Sequence, residues 1–197
     1  MKRVCVYCAS SQGCDPEYHA EARRLGEVLA GEEITVVYGG GAVGSMGALA
    51  NGALDAGGEV IGVIPHFMVE LEWAHDGLSR LDRVEDMRVR KHKMLEGSDA
   101  AIALPGGSGT FEELFEALSL KRLGIYKKPI VLVNTRNYFD PCLELLDRCV
   151  KERFMGERHA DMWTVVDRAD QVPQALRDAP EWPENAVDFA SVPAART

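Results

Sequence analysis

Short apolar runs alternate with longer segments of helical periodicity along most of the chain. Runs that predict strands occupy residues 3–10, 33–41, 59–65, 80–86, 99–107 and 127–134, with one more beginning at residue 163. Helical patterns fill the intervals, over residues 17–30, 44–58, 87–98, 110–124 and 138–155, and again before residue 179. Several strand runs are apolar on both faces, which is typical of parallel strands covered by helices on each side. The pattern therefore predicts an α/β fold with a doubly wound, Rossmann-like and mostly parallel sheet.

The boundaries of this pattern predict one domain and a tail. Asp15 and Pro16 have the positions of an N-cap and a first-turn residue, and Gly31 follows the first helix. No repeat or linker interrupts the alternation, so we expect residues 1–179 to form a single domain. Residues 180–197 contain three prolines and little periodicity, and we expect a flexible C-terminal tail there.

The composition argues against several classes of partner. The chain has 197 residues, of which 46% are hydrophobic, and this is enough for the core of one ordinary domain. Its net charge of −9 argues against binding to a nucleic acid polymer or an anionic membrane surface. No apolar run is long enough to span a bilayer, and the first one is too short for a signal peptide. We therefore expect a cytoplasmic protein.

Two of the five cysteines, Cys5 and Cys8, have the C-x-x-C spacing of some zinc and redox sites. Both fall in the first predicted strand, where residues three apart point to opposite faces of the sheet. We therefore predict that they pack on separate faces, and we expect no metal site. Cys142 and Cys149 fit core positions of a helix in a reducing compartment.

Two glycine-rich turns follow strands and open helices. The first, the 39–44 loop, contains Gly39, Gly40, Gly41 and Gly44, with the G-x-G-x-x-G spacing of a dinucleotide-binding turn. That motif also needs a carboxylate at the end of the next strand to hold a ribose, and this strand ends at Pro65 without one. The loop also follows the second strand and not the first. An NAD site is therefore disfavoured, and close packing of a helix on the sheet is the alternative.

The second turn, the 105–110 loop, leaves more backbone uncovered. Gly106, Gly107 and Gly109 carry no side chain, Ser108 lies among them, and Thr110 adds a hydroxyl at the mouth of a helix. Because the N-terminus of a helix carries partial positive charge, this loop is predicted to bind phosphate. No lysine follows it as in a Walker motif, which argues against ATP hydrolysis.

Charged residues near this loop are the candidate catalytic groups. Glu113 lies one turn into the helix, where a carboxylate can hold ribose hydroxyls, stabilise a sugar cation or activate water. Thr110 and Glu113 also have the spacing of a capping box, which is a purely structural alternative. Residues 88–93 form a basic run containing Arg90 and Lys91, which face either solvent or the ligand-binding end of the sheet.

Four segments carry a recognisable pattern in a fixed order along the chain. They are the Ser-Ser loop after the first strand, residues 37–65, DMRVRKHKM at residues 86–94, and LPGGSGTFEE at residues 104–113, which has the form P-G-G-x-G-T-x-x-E. Together they resemble the LOG (Lonely Guy) family of cytokinin riboside 5′-monophosphate phosphoribohydrolases, whose members are often mislabelled as lysine decarboxylases. The similarity extends to about Phe154.

The resemblance implies a reaction and a set of site residues. The reaction is hydrolysis of the N-glycosidic bond of an adenine-type nucleoside 5′-monophosphate, which yields the free base and ribose 5-phosphate. Arg90 and Glu113 are implied as catalytic residues, and the 105–110 loop as the phosphate site. Glu72, Lys91 and Ser119 match substrate-contact positions. The resemblance implies a homodimer and neither a cofactor nor a metal.

Departures from the family pattern leave the preferred base open. Leu120 and Arg122 stand where Trp and Gln are common, Ala9 where Gly is common, and Ser108 where Tyr is frequent. The substrate is then either a cytokinin nucleotide or plain AMP. A general purine-monophosphate nucleosidase and a non-catalytic nucleotide-binding module are the alternative functions. A lysine decarboxylase would need pyridoxal phosphate on a lysine, and no lysine of the chain has a convincing context for it.

Overall fold

The computed structural model of the protein describes residues 1–71 and 73–192. The strands in this part are β1 (Arg3–Tyr7), β2 (Thr35–Tyr38), β3 (Val60–Pro65), β4 (Arg80–Val84), β5 (Ala100–Ala103), β6 (Ile130–Val133) and β7 (Thr164–Val166). The α-helices are α1 (Pro16–Gly31), α2 (Gly44–Asp55), α3 (His66–Glu70), α4 (Met87–Leu95), α5 (Ser108–Arg122), α6 (Asp140–Lys151) and α7 (Val172–Asp178). Each strand and helix predicted from the pattern is present, and Asp15 caps α1 by accepting the N–H of Glu17 at 3.0 Å.

The strands form one parallel sheet in the order β4-β3-β2-β1-β5-β6-β7, which confirms the predicted doubly wound α/β fold. β1 is central, since Val4 lies opposite Val36 of β2 on one side and Ala100 of β5 on the other. The chain runs outward from β1 to β4, crosses back, and runs outward again from β5 to β7. Ligands of such sheets bind at the carboxyl ends of the strands, where the two directions diverge. Both glycine loops leave their strands at this edge.

Helices cover both faces of the sheet, and each face has its own hydrophobic core. Helices α1, α2 and α7 pack on one face, and α4, α5 and α6 pack on the other. Cys8 belongs to the first core and Cys5 to the second, as the strand periodicity predicted. Within residues 1–71 and 73–192, no group of three or more His, Cys, Asp or Glu side chains is arranged to hold a metal ion. The helices in this part include none with the length and apolar character to cross a membrane.

Two glycines allow α1 and α2 to pack backbone against backbone. A Cβ atom built on Gly26 would lie 2.2 Å from the carbonyl oxygen of Leu49 and 2.6 Å from the nitrogen of Ala53. A Cβ atom on Gly52 would lie 2.2 Å from the carbonyl oxygen of Arg23. Because these contacts are with backbone, no side-chain rotation can relieve them, and the two helices would have to separate.

Gly26→Ala is therefore expected to lower the free energy of unfolding by about 1–3 kcal/mol, the usual cost of overpacking. Alanine forms helices better than glycine by up to about 1 kcal/mol, so helix propensity alone would raise the stability of Gly26→Ala. A lowered stability therefore reports the contact between α1 and α2. Gly31→Ala at the end of the same helix is the control, since its Cβ would meet no atom within 4 Å. Urea unfolding of the two variants measures the difference, and an unchanged or raised stability of Gly26→Ala would contradict the close packing.

Part of the expected flexible tail packs against the domain. Trp182 is buried, and its indole N–H donates at 2.7 Å to the carbonyl oxygen of Lys121, which lies 61 residues earlier in α5. The guanidinium of Arg122 donates at 2.6 Å to the carbonyl oxygen of Ala190. Local periodicity does not reveal this packing because its partners are distant in sequence. Trp182 and Ala190 therefore bond to α5, the flexibility expected for residues 180–197 stays a prediction, and residues 193–197 lie outside the described part.

Candidate active site

The 105–110 loop leaves β5 and turns directly into α5. The helix begins at Ser108 with Gly107 as its N-cap residue, and no side chain caps it. The first N–H groups of a helix have no partner within the helix, so they are available to a ligand. A Cβ atom built on Gly107 or on Gly109 would meet no atom within 4 Å, and the approach to these groups is open. The loop thus has the form of a helix N-terminus that binds phosphate.

Thr110 is the third residue of α5, and its side chain packs on Gly106. A Cβ atom on Gly106 would lie 2.2 Å from the hydroxyl oxygen of Thr110, so only glycine fits at this position. Among the described residues the Thr110 hydroxyl has no hydrogen-bond partner, which leaves it for a ligand. Because Gly107 is the N-cap residue, Thr110 and Glu113 do not form the capping box that their spacing also allowed.

Glu113 lies in the second turn of α5 and is 7% exposed. Burial raises the pKa of its carboxyl from 4.5 to about 7, and the positive charge of Arg90 opposes this rise. The carboxyl also interacts electrostatically with Cys5, Tyr7 and Cys8, which places it beside the carboxyl end of β1. A carboxyl group with a pKa near neutrality is suited to proton transfer, and a buried one is suited to stabilising a cation.

The raised pKa of Glu113 predicts a pH dependence of stability. A carboxyl with a pKa of 4.5 when exposed and about 7 in the folded state stabilises the fold most at low pH, and this contribution is lost as the pH rises through that interval. The change amounts to about 3 kcal/mol at most. Wild type should therefore lose stability relative to Glu113→Gln when urea unfolding is repeated from about pH 5 to pH 8. A difference in the free energy of unfolding between wild type and Glu113→Gln that stays constant across this pH range would contradict the raised pKa.

Arg90 is buried and bonds to the backbone of β3 and of the residue that follows β2. Its Nε donates to the carbonyl oxygen of Val63 at 3.0 Å, and its Nη2 donates to that of Gly39 at 2.6 Å. Nη1 lies 3.7 Å from the Met87 sulfur and is the guanidinium nitrogen without an oxygen partner in the described chain. Burial lowers the pKa of Arg90 and the charge of Glu113 raises it, although no ion pair within 4 Å joins these two described residues. The structure therefore brings the two predicted catalytic residues close enough to interact by charge.

Close packing explains the glycines of the 39–44 loop. A Cβ atom on Gly39 would lie 2.1 Å from Nη2 of Arg90. Gly40 and Gly44 have left-handed φ angles of 77° and 63°, and a Cβ atom on Gly44 would lie 2.5 Å from the carbonyl carbon of Ser10. The loop thus packs on the Arg90 side chain and on the connection after β1. A direct role of its glycines in ligand binding stays a prediction.

The remaining predicted substrate contacts are Lys91, Ser119 and Glu72. Lys91 forms ion pairs with two carboxylates of α5, Glu112 and Glu116, the second at 3.1 Å. Ser119 is exposed, and its hydroxyl donates at 2.7 Å to a carbonyl oxygen one turn back in its own helix. Glu72 lies outside the described residues. The side chains of Lys91 and Ser119 thus have partners on α5, and their roles as substrate contacts stay predictions.

Tyr138, in the connection after β6, was not indicated by any motif. Its hydroxyl donates to the carbonyl oxygen of Gly106 at 2.5 Å, and its ring stacks on Phe111 with centroids 6.1 Å apart. A tyrosine in a loop carries little sequence signal, because this contact joins residues 32 positions apart. The structure therefore adds a residue that touches the 105–110 loop.

Known proteins similar to this chain cover most of its length. The family model described as possible lysine decarboxylase matches residues 46–176. A cytokinin riboside 5′-monophosphate phosphoribohydrolase of Rhodococcoides fascians is 45% identical over 155 residues, which are 78% of this chain and 78% of that protein. One from Arabidopsis thaliana is 37% identical over 191 residues, which are 97% of this chain and 88% of that protein.

Solved structures with the same fold include the molybdenum cofactor carrier protein of Chlamydomonas reinhardtii. Its structure superposes with a TM-score of 0.70 at 22% identity, covering 90% of this chain and 97% of that one. At this identity the likeness concerns the fold alone.

Proposed function

Because the chain belongs to the LOG family of cytokinin riboside 5′-monophosphate phosphoribohydrolases, we propose that it hydrolyses the N-glycosidic bond of an adenine-type nucleoside 5′-monophosphate. The protein is then an N-glycosyl hydrolase whose products are the free base and ribose 5-phosphate. The observation that carries the proposal is the buried carboxyl of Glu113 on the helix whose open N-terminus suits phosphate. Gly109 and Glu113 are about one turn apart, roughly 6 Å along the helix axis, so one nucleotide spans both.

The proposed mechanism follows from this spacing. The N–H groups of the 105–110 loop and the Thr110 hydroxyl hold the 5′-phosphate, which positions the ribose beside Glu113. As the bond between C1′ and the base nitrogen breaks, its electrons leave with the base and positive charge develops on the ribose. The ionised carboxylate of Glu113 stabilises that charge. Water then adds to C1′, losing a proton, and the base takes up a proton. Arg90 favours the ionised form of Glu113 because its charge lowers the pKa that burial raises.

The proposal is tested by a product assay with two nucleotides. Purified protein is incubated with AMP and with isopentenyladenosine 5′-monophosphate, and free base is measured by chromatography. A higher kcat/KM for the isopentenyl compound would identify a cytokinin nucleotide as the substrate, and an equal or higher value for AMP would identify a general nucleosidase. Binding of both nucleotides in calorimetry without base release would contradict the hydrolase and leave a nucleotide-binding module.

We further propose a homodimer formed through the face of α4 and α5. These helices and the residues after α5 line a groove of about 980 Å³. Leu123 and Ile125, which follow α5, are 48% and 70% exposed. Apolar surface of this kind is typical of an interface, and a second copy would cover it. Sedimentation equilibrium should give the mass of two chains, and a monomer at micromolar concentration would contradict the proposal.

We also propose that the protein acts in the cytoplasm. Its five cysteines, Cys5, Cys8, Cys14, Cys142 and Cys149, are free thiols. Thiols persist in a reducing compartment, whereas secreted proteins commonly pair them. Fractionation of cells that express a tagged copy tests the location, and recovery in a secreted or membrane fraction would contradict it.

A further inference from the structure

The connection between β6 and α6 is held in one conformation beside the 105–110 loop. Arg136 and Asn137 both have left-handed φ angles, of 57° and 59°. Two successive non-glycine residues adopt this conformation only when their surroundings enforce it. The Asn134 side chain holds this connection in place. Its amide N–H donates to the Asp140 carboxylate at 2.8 Å, and its amide oxygen accepts the N–H of Phe139 at 2.7 Å. These contacts therefore fix the backbone position of the next residue in the chain, Tyr138.

Aromatic contacts fix the direction of the Tyr138 ring. The ring stacks on Phe111, meets Tyr18 edge-on with centroids 5.7 Å apart, and meets Phe139 edge-on at 5.4 Å. Its hydroxyl donates to the carbonyl oxygen of Gly106 at 2.5 Å. Tyr138 thus contacts the 105–110 loop at its carbonyl and the first turns of α5 through Phe111.

The carbonyl of Gly106 and the N–H of Gly107 belong to one peptide group. A trans peptide is planar, and its C=O and N–H point in opposite directions. A donor that holds the Gly106 oxygen on one side therefore fixes the direction of the Gly107 N–H on the other side, and Gly107 itself is exposed.

We propose that Tyr138 is a positioning residue for phosphate, because its hydroxyl orients the Gly106–Gly107 peptide so that the N–H of Gly107 can bind the 5′-phosphate of the substrate. The proposal rests on the proposed function, since it names a device for the phosphate of that same substrate. Without the hydroxyl, the carbonyl oxygen of Gly106 is free to turn toward the ligand, where it would repel an anion.

The test is Tyr138→Phe, which keeps the ring and its packing. Calorimetry should show that affinity for ribose 5-phosphate falls about tenfold, as expected for the loss of one oriented hydrogen bond to a charged group. Affinity for adenine should stay unchanged, because adenine has no phosphate. In the base-release assay KM should rise by a similar factor while kcat stays within about twofold, since phosphate is bound in the ground state and the transition state alike.

Tyr18→Phe is the matched control, because Tyr18 belongs to the same aromatic cluster and does not bond to Gly106. Equal weakening of adenine and ribose 5-phosphate binding, or unchanged ribose 5-phosphate binding in Tyr138→Phe, would overturn the proposal. So would wild-type protein that does not bind ribose 5-phosphate. Selective loss of ribose 5-phosphate binding in a protein that releases no base would leave the positioning role standing and remove the proposed hydrolysis.

Discussion

Replacing Glu113 by glutamine is expected to lower kcat for base release by about 10³-fold, within the range usual for a residue that acts on the reacting atoms. Glutamine keeps the size and burial of the side chain but cannot carry the negative charge that stabilises the ribose cation. Binding should change little, because the 105–110 loop that holds the phosphate is untouched. Initial rates of base release and calorimetric affinities for the same nucleotide separate the two effects.

Loss of folding does not explain such a result, because Glu113→Gln removes a carboxyl group whose ionisation burial opposes. The variant should unfold at the same or a higher urea concentration than wild type at neutral pH. Glu144→Gln is the control, since it makes the same change at an exposed position of α6. A Glu113→Gln enzyme as fast as wild type would contradict the mechanism.

Replacing Arg90 by methionine is expected to lower both stability and activity. The carbonyl oxygens of Val63 and Gly39 would lose their buried donor, at a cost of roughly 2–4 kcal/mol in the free energy of unfolding. Glu113 would also lose the positive charge that lowers its pKa, so that pKa should rise further. Since the ionised carboxylate is the active form, the pH at which the rate reaches half its maximum should move upward. Urea unfolding and a pH–rate profile measure the two effects.

Two other arginine variants separate these contributions. Arg88→Met changes the side chain that is 87% exposed on the same helix, so we expect wild-type stability and rate. Arg90→Lys keeps a positive charge, but one ammonium group cannot reproduce the two directed contacts of the guanidinium. It should therefore lose stability with a smaller displacement of the pH–rate profile. A profile for Arg90→Met that coincides with that of wild type would show that Arg90 is structural only.

Most of the fold is predictable from the sequence, because strands, helices and helix caps are each indicated by residues that are close together in the chain. The strands β1, β3, β5 and β6 are short apolar runs with buried residues on both faces. Asp15 and Asp86 cap α1 and α4 by accepting backbone N–H groups. The packing of residues 180–192 is not local, since Trp182 finds its hydrogen-bond partner in α5.

The candidate site is predictable only where its residues share a segment. The 105–110 loop runs directly into the helix that carries Glu113, so their separation in the sequence is enough to predict that they lie close together. The pattern predicted a helix from Thr110, whereas the structure begins α5 two residues earlier, at Ser108, with Gly107 as the N-cap residue. The carbonyl partners of Arg90 lie 27 and 51 residues away in sequence, which no local pattern reveals. The catalytic roles of Arg90 and Glu113 stay predictions.

The central place of β1 sets the order in which the molecule can assemble during synthesis. Val4 meets Val36 after a short stretch of chain, so β1 to β4 can associate early, whereas its other neighbour, Ala100, emerges much later. Contacts so distant in sequence form slowly, and until then the open edge of β1 is exposed to other chains. A half-sheet of β1 to β4 would carry the 39–44 loop and lack Glu113. Recovery of activity on refolding should therefore report the joining of the two half-sheets, because Arg90 belongs to the first of them and Glu113 to the second.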